Sequence, residues 1–188
     1  CSQSRGLGDV YKRQGKSCIV DAILHRLTPK HKIAVLAVDP TSPLSGGALL
    51  GDRIRLSVLD DKSRSDSIYV RSIATRSSSG SIPSIVRSLS HHLLANNFDF
   101  VFIETVGAGQ SEMRCAAVAN RIVVVEGPAR GDGIQAEKAG LLELADLIVV
   151  NKSDLDGADK VVNDLTVSLG LTNDCLLYTS PSPRDWLQ

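Results

Sequence analysis

Two short strings in this chain have residue types and spacing suited to holding a nucleotide. The first is Gly15-Lys16-Ser17. A glycine there lets backbone N–H groups approach phosphate, a lysine ammonium reaches the β and γ phosphates, and a serine hydroxyl ligates Mg²⁺. The second is Asn151-Lys152-Ser153-Asp154, directly after the apolar run Leu147-Ile148-Val149-Val150. An aspartate carboxylate can accept two parallel hydrogen bonds, from N1–H and the 2-amino group of guanine. Adenine lacks that pair of donors and would leave the carboxylate desolvated and unpaired. Asn151 can address the O6/N7 edge, and the Lys152 stem can lie over the base. Each string has a plain alternative: a Gly-Lys-Ser tripeptide is weak by itself, and a polar tetrad after a strand is also an ordinary turn.

An acidic strand end between the two strings favours the nucleotide reading. In Phe102-Ile103-Glu104-Thr105-Val106-Gly107 a carboxylate closes an apolar run. This is the arrangement in which an acid holds Mg²⁺ through water and a following glycine lets a backbone N–H reach the γ-phosphate. Asp39, after residues 32–38, is placed to meet a metal-bound phosphate. The Pro- and Gly-rich loop that follows suits a segment that rearranges with nucleotide. Asp52 is a second acidic candidate, and a helix N-cap explains it nearly as well. One departure stands out. In the pattern G-x-x-x-x-G-K-[ST] the first glycine would fall at position 10, where this chain has Val10, and no apolar run precedes it.

Positioning these residues takes alternating strands and helices. Apolar runs at residues 32–38, 67–73, 98–103, 122–125 and 147–150 read as strands. Residues 16–27, 81–96, 135–144 and 158–169 read as helices. Strands separated by helix-length segments predict an α/β fold with a mostly parallel sheet flanked by helices. Ligands of such sheets bind at the carboxyl ends of the strands, where Asp39, Glu104 and Asn151 fall.

Composition sets the frame. The 188 residues are 43% hydrophobic and 22% charged with zero formal net charge, so bulk electrostatics points to no nucleic-acid or membrane partner. Cys1, Cys18, Cys115 and Cys175 are far apart and fit a reducing compartment better than a disulfide framework. His91 and His92 are neighbours and read as surface or boundary residues rather than metal ligands. Residues 1–14 and 175–188 differ abruptly in character from the middle. They are expected to be a foreign leader and tail of adaptor or vector type, around an incomplete nucleotide-binding domain at 15–174. The broken phosphate loop is then a truncation.

The strings AVDPTSPLSGGALLGDRIR, IETVGAGQSE, GDGIQAEKAG and NKSDL, in that order, resemble the MeaB/ArgK family of P-loop GTPases, over about residues 15–173. The resemblance implies a fold of the signal-recognition-particle-like class, and GTP/GDP and Mg²⁺ as cofactors. It implies a G-protein chaperone that gates cobalamin loading of a cobalamin-dependent acyl-CoA mutase, such as methylmalonyl-CoA mutase, and protects it. It makes Gly15, Lys16 and Ser17 the phosphate loop, and Asp39, Asp52 and Glu104 the acids near magnesium and the attacking water. Gly107 becomes the γ-phosphate sensor and Asn151, Lys152 and Asp154 the guanine reader. Gln135 and Lys138 lie in a segment that relays nucleotide state to the mutase. It further implies a homodimer in full-length members, slow hydrolysis without a partner, and a bacterial cytoplasm or mitochondrial matrix. The family's later guanine-contacting loop and dimerising helical extension have no counterpart before the tail. Two other classes remain: a P-loop kinase or ATPase linked to amino-acid transport, which the guanine tetrad opposes, and a metal-delivery GTPase, which would want a His- or Cys-rich stretch.

Overall fold

A computed structural model of the chain describes residues 15–40, 56–75, 82–105, 110–128, 136–170 and 176–180. The elements, in chain order, are α1 (Lys16–Leu27), β1 (Ile33–Pro40), β2 (Ile68–Thr75), α2 (Ile82–Ala95), β3 (Phe100–Thr105), α3 (Gln110–Ala116), β4 (Val123–Glu126), α4 (Ala136–Glu143), β5 (Leu147–Asn151), α5 (Ala158–Leu169) and β6 (Leu176–Ser180). Two 3₁₀ turns, Ser57–Asp60 and Ser65–Ser67, precede β2. The strands form two three-stranded parallel sheets, ordered β2-β1-β3 and β4-β5-β6. The α/β class with parallel strands and flanking helices is as the sequence predicts; the described strands fall into two sheets of three. Among the described residues no strand pairs with the outer edge of β3 or of β4.

The chain divides into two compact units. In the unit of residues 16–118, β1 is the middle strand and is buried on both faces. Ile33 and Val35 pack on one side with Leu24, Leu56 and Val58. Ala34, Leu36 and Val38 pack on the other with Ile73, Val86, Leu93 and Cys115. A two-residue period buried on both faces explains why this strand is an unbroken apolar run. Helix α1 supplies Val20, Leu24 and Leu27 to the first face; α2 supplies Val86, Leu89 and Leu93 to the second, at helical spacing.

Polar contacts fix the strand ends. Asp99 Oδ2 accepts from the Lys32 backbone N–H at 2.8 Å, and the Asp99 N–H donates to the Lys32 carbonyl at 2.8 Å. This sets the start of β3 beside the start of β1. The turn Ser57–Asp60 is tied to α1 by Asp21, whose carboxylate accepts from Ser57 Oγ (2.6 Å) and the Val58 N–H (3.1 Å).

The second unit, residues 1–15 with 119–188, has a core of Val124, Leu142, Ile148, Val150 and Leu165. Asp146 closes its base, accepting from the Ile122 N–H and the Arg121 guanidinium, each at 2.8 Å. Helix α5 ends at Gly170 in the left-handed conformation (φ +50°), the usual glycine stop. The sequence set residues 175–188 apart from the fold. Within that stretch Leu176–Ser180 pairs in register along β5, Leu147 opposite Leu176 and Asn151 opposite Ser180. Its Leu-Leu-Tyr-Thr run has the apolar, aromatic and β-branched character that suits a strand. Among the described residues no helix is long and apolar enough to cross a membrane.

Candidate functional site

Lys16, Ser17, Asp39 and Glu104 belong to the unit of residues 16–118. Lys16 and Ser17 open α1, whose first turn carries no acidic residue, so the positive end of the helix dipole is left for an incoming anion. Ser17 Oγ donates to Glu104 Oε1 at 2.5 Å. Glu104 stands near the end of β3, opposite Ala37 of β1. Its second oxygen, Oε2, is buried and finds no hydrogen-bond partner among the described residues. Burial pushes the Glu104 carboxyl above its ordinary range, against the opposing pull of the Ser17 hydrogen bond and the Lys16 charge. A serine hydroxyl beside a half-satisfied buried carboxylate is a donor set suited to a hard cation with bound water. These residues therefore fit Mg²⁺.

Lys16 makes a contact that the motif does not announce. Its Nζ lies 3.3 Å from Glu112 Oε1, in the first turn of α3, and both side chains are largely buried. Sequence reasoning passed over Glu112. The available signal was an acid eight residues past Glu104, at the start of a short helix.

Asp39 lies at the carboxyl end of β1, two residues past the Ala37–Glu104 pairing. The strand register thus puts the two acids at the same end of adjacent strands. Asp52, Gly107 and Gln135 lie outside the described residues. Lys138 lies in the first half of α4.

The base-type residues belong to the other unit. Asn151 ends β5 and is 1% exposed. Lys152 follows with φ +61°, in the left-handed region that a non-glycine residue seldom adopts. This reversal turns the chain sharply out of the strand and leaves Asp154 exposed in the turn. Gly15, which belongs to this unit, has φ +83°, and a β-carbon built on it would run into the Asn151 side-chain amide. Gly15 is thus required twice, by its conformation and by the close approach of Asn151. The sequence assigned Asn151 to the base edge; packing against the loop glycine is a role that it did not suggest.

Comparison with known proteins agrees with this chemistry. Residues 9–186 match the family described as methylmalonyl Co-A mutase-associated GTPase MeaB. A Pyrococcus abyssi protein with GTPase in its name is 41% identical over 161 residues, covering 85% of this chain and 49% of that one. The mitochondrial methylmalonic aciduria type A homolog of Mus musculus is 40% identical over 146 residues, covering 76% of this chain and 34% of that one. The GTPase ArgK of Escherichia coli is 37% identical over 148 residues, covering 78% and 44%. The chain spans about half the length of the first of these relatives. In fold it is similar to the hydrogenase maturation factor HypB of Archaeoglobus fulgidus, with a TM-score of 0.59 at 18% identity over 93% of this chain and 81% of that one.

Proposed function

The chain belongs to the family of methylmalonyl-CoA mutase-associated GTPases, and from that premise we propose that it binds GTP with Mg²⁺ and hydrolyses it. The observation that carries this reading is the Ser17–Glu104 hydrogen bond beside a buried, half-satisfied carboxylate, at the start of a helix that carries Lys16. Lys16 would bind the β and γ phosphates, and Ser17 would turn its hydroxyl from Glu104 to the metal. Glu104 would then hold metal-bound water through Oε2, which has no partner among the described residues. Bound Mg²⁺ supplies charge neutralisation on the phosphates. Asp154 would read guanine through its two donors, and the reversal at Lys152 aids this by presenting the turn at the strand end.

The wider reading follows the family. The nucleotide cycle would gate cobalamin loading and protection of a cobalamin-dependent acyl-CoA mutase, with Gln135 and Lys138 as the relay, Asp39 and Asp52 as further acids at the metal, and Gly107 at the γ-phosphate. Intrinsic turnover would be slow, and the site of action the cytoplasm or the mitochondrial matrix; the name of the mouse relative calls that protein mitochondrial.

The test is binding of a fluorescent GDP analogue and GTP turnover across an Mg²⁺ titration, in the wild type and in Glu104→Gln. The reading expects Mg²⁺-dependent GTP binding in the wild type and loss of the magnesium dependence in the variant. Equal affinity for ATP would overturn it. For the relay, Gln135→Ala with Lys138→Ala should spare GTP binding and abolish stimulation of turnover by a cognate mutase. Unchanged stimulation would remove these two residues from the coupling.

A further inference from the structure

We propose that Glu112 is the resident counter-ion of Lys16 in the nucleotide-free protein, and that the phosphates of an arriving nucleotide displace it, so that breaking the Lys16–Glu112 pair links phosphate-site occupancy to helix α3. This rests on the reading of Lys16 as the phosphate-binding lysine.

The argument begins with charge. Lys16 Nζ is 3.3 Å from Glu112 Oε1, and the side chains are 23% and 16% exposed. A partly buried ammonium is favoured by a nearby anion. Glu104 is close enough to feel the Lys16 charge, but its Oε1 is taken by Ser17 and its Oε2 has no partner among the described residues. Glu112 therefore neutralises Lys16 directly. A phosphate oxygen bound to Nζ would bring a second anion to the position that Glu112 occupies, in a setting where like charges repel strongly. One of the two has to leave.

Glu112 is the one able to leave. Lys16 is its one ion-pair partner among the described residues, and the carboxylate sits in the first turn of a seven-residue helix. It also sits close enough to buried Cys115 to help raise that thiol, after the larger effect of burial. Without Lys16, Glu112 would be an uncompensated charge beside a buried sulfur, which favours its moving toward solvent with the start of α3. The pair joins residues 96 apart in sequence, one on α1 and one on α3, so its rupture loosens one element from the other.

Two measurements on the full chain test this. In the first, GDP-analogue affinity is compared among the wild type, Glu112→Gln and Lys16→Ala. The proposal expects Glu112→Gln to bind roughly 1.5- to fivefold more tightly, the range expected when one partly exposed ion pair is removed as a competitor. Unchanged or weaker binding in Glu112→Gln overturns it. Wild-type affinity in Lys16→Ala instead rejects the nucleotide-site reading. The second is a double-mutant cycle on melting temperature, with Lys16→Gln and Glu112→Gln, with and without saturating GTP and Mg²⁺. Coupling is expected in the nucleotide-free protein and should vanish on saturation. No coupling without nucleotide, or coupling that persists with it, overturns the proposal. If GTP leaves wild-type melting unmoved, the nucleotide reading fails, while the nucleotide-free cycle still decides the pair.

Discussion

The side-chain amide of Asn151 occupies the space into which a β-carbon on Gly15 would project. A residue at the end of β5 thus dictates which amino acid position 15 accepts. Because φ at Gly15 is also +83°, an alanine there faces both backbone strain and a collision with a buried amide. We expect Gly15→Ala to destabilise the protein by about 1–3 kcal/mol from the backbone alone, with the clash adding to it. Chemical denaturation of the single variant and of Gly15→Ala with Asn151→Ala measures both parts. Partial recovery in the double variant identifies the clash; an unchanged midpoint in Gly15→Ala would contradict this account.

Glu104 makes nucleotide-free stability depend on pH. Its folded carboxyl is raised above the ordinary carboxylate range, chiefly by burial. A raised acid binds its proton more tightly folded than unfolded, so its stabilising contribution is complete below the unfolded pKa. That contribution is lost as pH rises through the folded value. Relative to Glu104→Gln, the nucleotide-free wild type should therefore lose stability as pH rises from about the ordinary carboxylate range toward neutrality. Melting curves of both proteins between acid and neutral pH measure the difference. A difference that stays flat with pH would rule out Glu104 as its source.

Asp146 carries the opposite sign. Its carboxyl is held below its usual range, first by the Ile122 backbone N–H and then by Arg121. Its contribution should be present above the unfolded pKa and fade as pH falls through the folded one. Asp146→Asn should lower the melting temperature near neutrality and converge on the wild type in acid. Arg121→Ala should cost less, because the guanidinium is 82% exposed and the backbone anchor survives. The reverse ranking would place the value of this contact in the ion pair.

Base selection should rest on Asp154. Replacing its carboxylate by an amide converts two acceptors into one acceptor and one donor. Asp154→Asn should weaken GTP binding by at least about tenfold, the effect of losing one charge-assisted pairing, and shift preference toward a xanthine nucleotide. Competition among GTP, ATP and XTP reads this directly. Undiminished GTP affinity would make the tetrad a simple turn.

Local regularity was legible in the sequence. The helices at 16–27 and 158–169 have the bounds that apolar spacing predicts, and the strands at 33–40 and 147–151 follow from unbroken apolar runs. Such patterns are visible because each records which faces of one element are buried. The short helix Gln110–Ala116 and the turn Ser57–Asp60 escaped, since neither spans enough residues to show a period. Strand β6 escaped because its composition set it apart, whereas its conformation comes from the open edge of β5.

The candidate site divides along the same line. The types and order of Lys16, Ser17, Glu104 and Asp154 were sufficient by themselves to suggest nucleotide chemistry, because motif spacing follows the chain. That Ser17 meets Glu104 across 87 residues, that Lys16 is neutralised by Glu112, and that Asn151 packs on Gly15 were decided only by tertiary structure. Contacts of this kind depend on which strands lie side by side and on what their ends bury. No local pattern of residues encodes them.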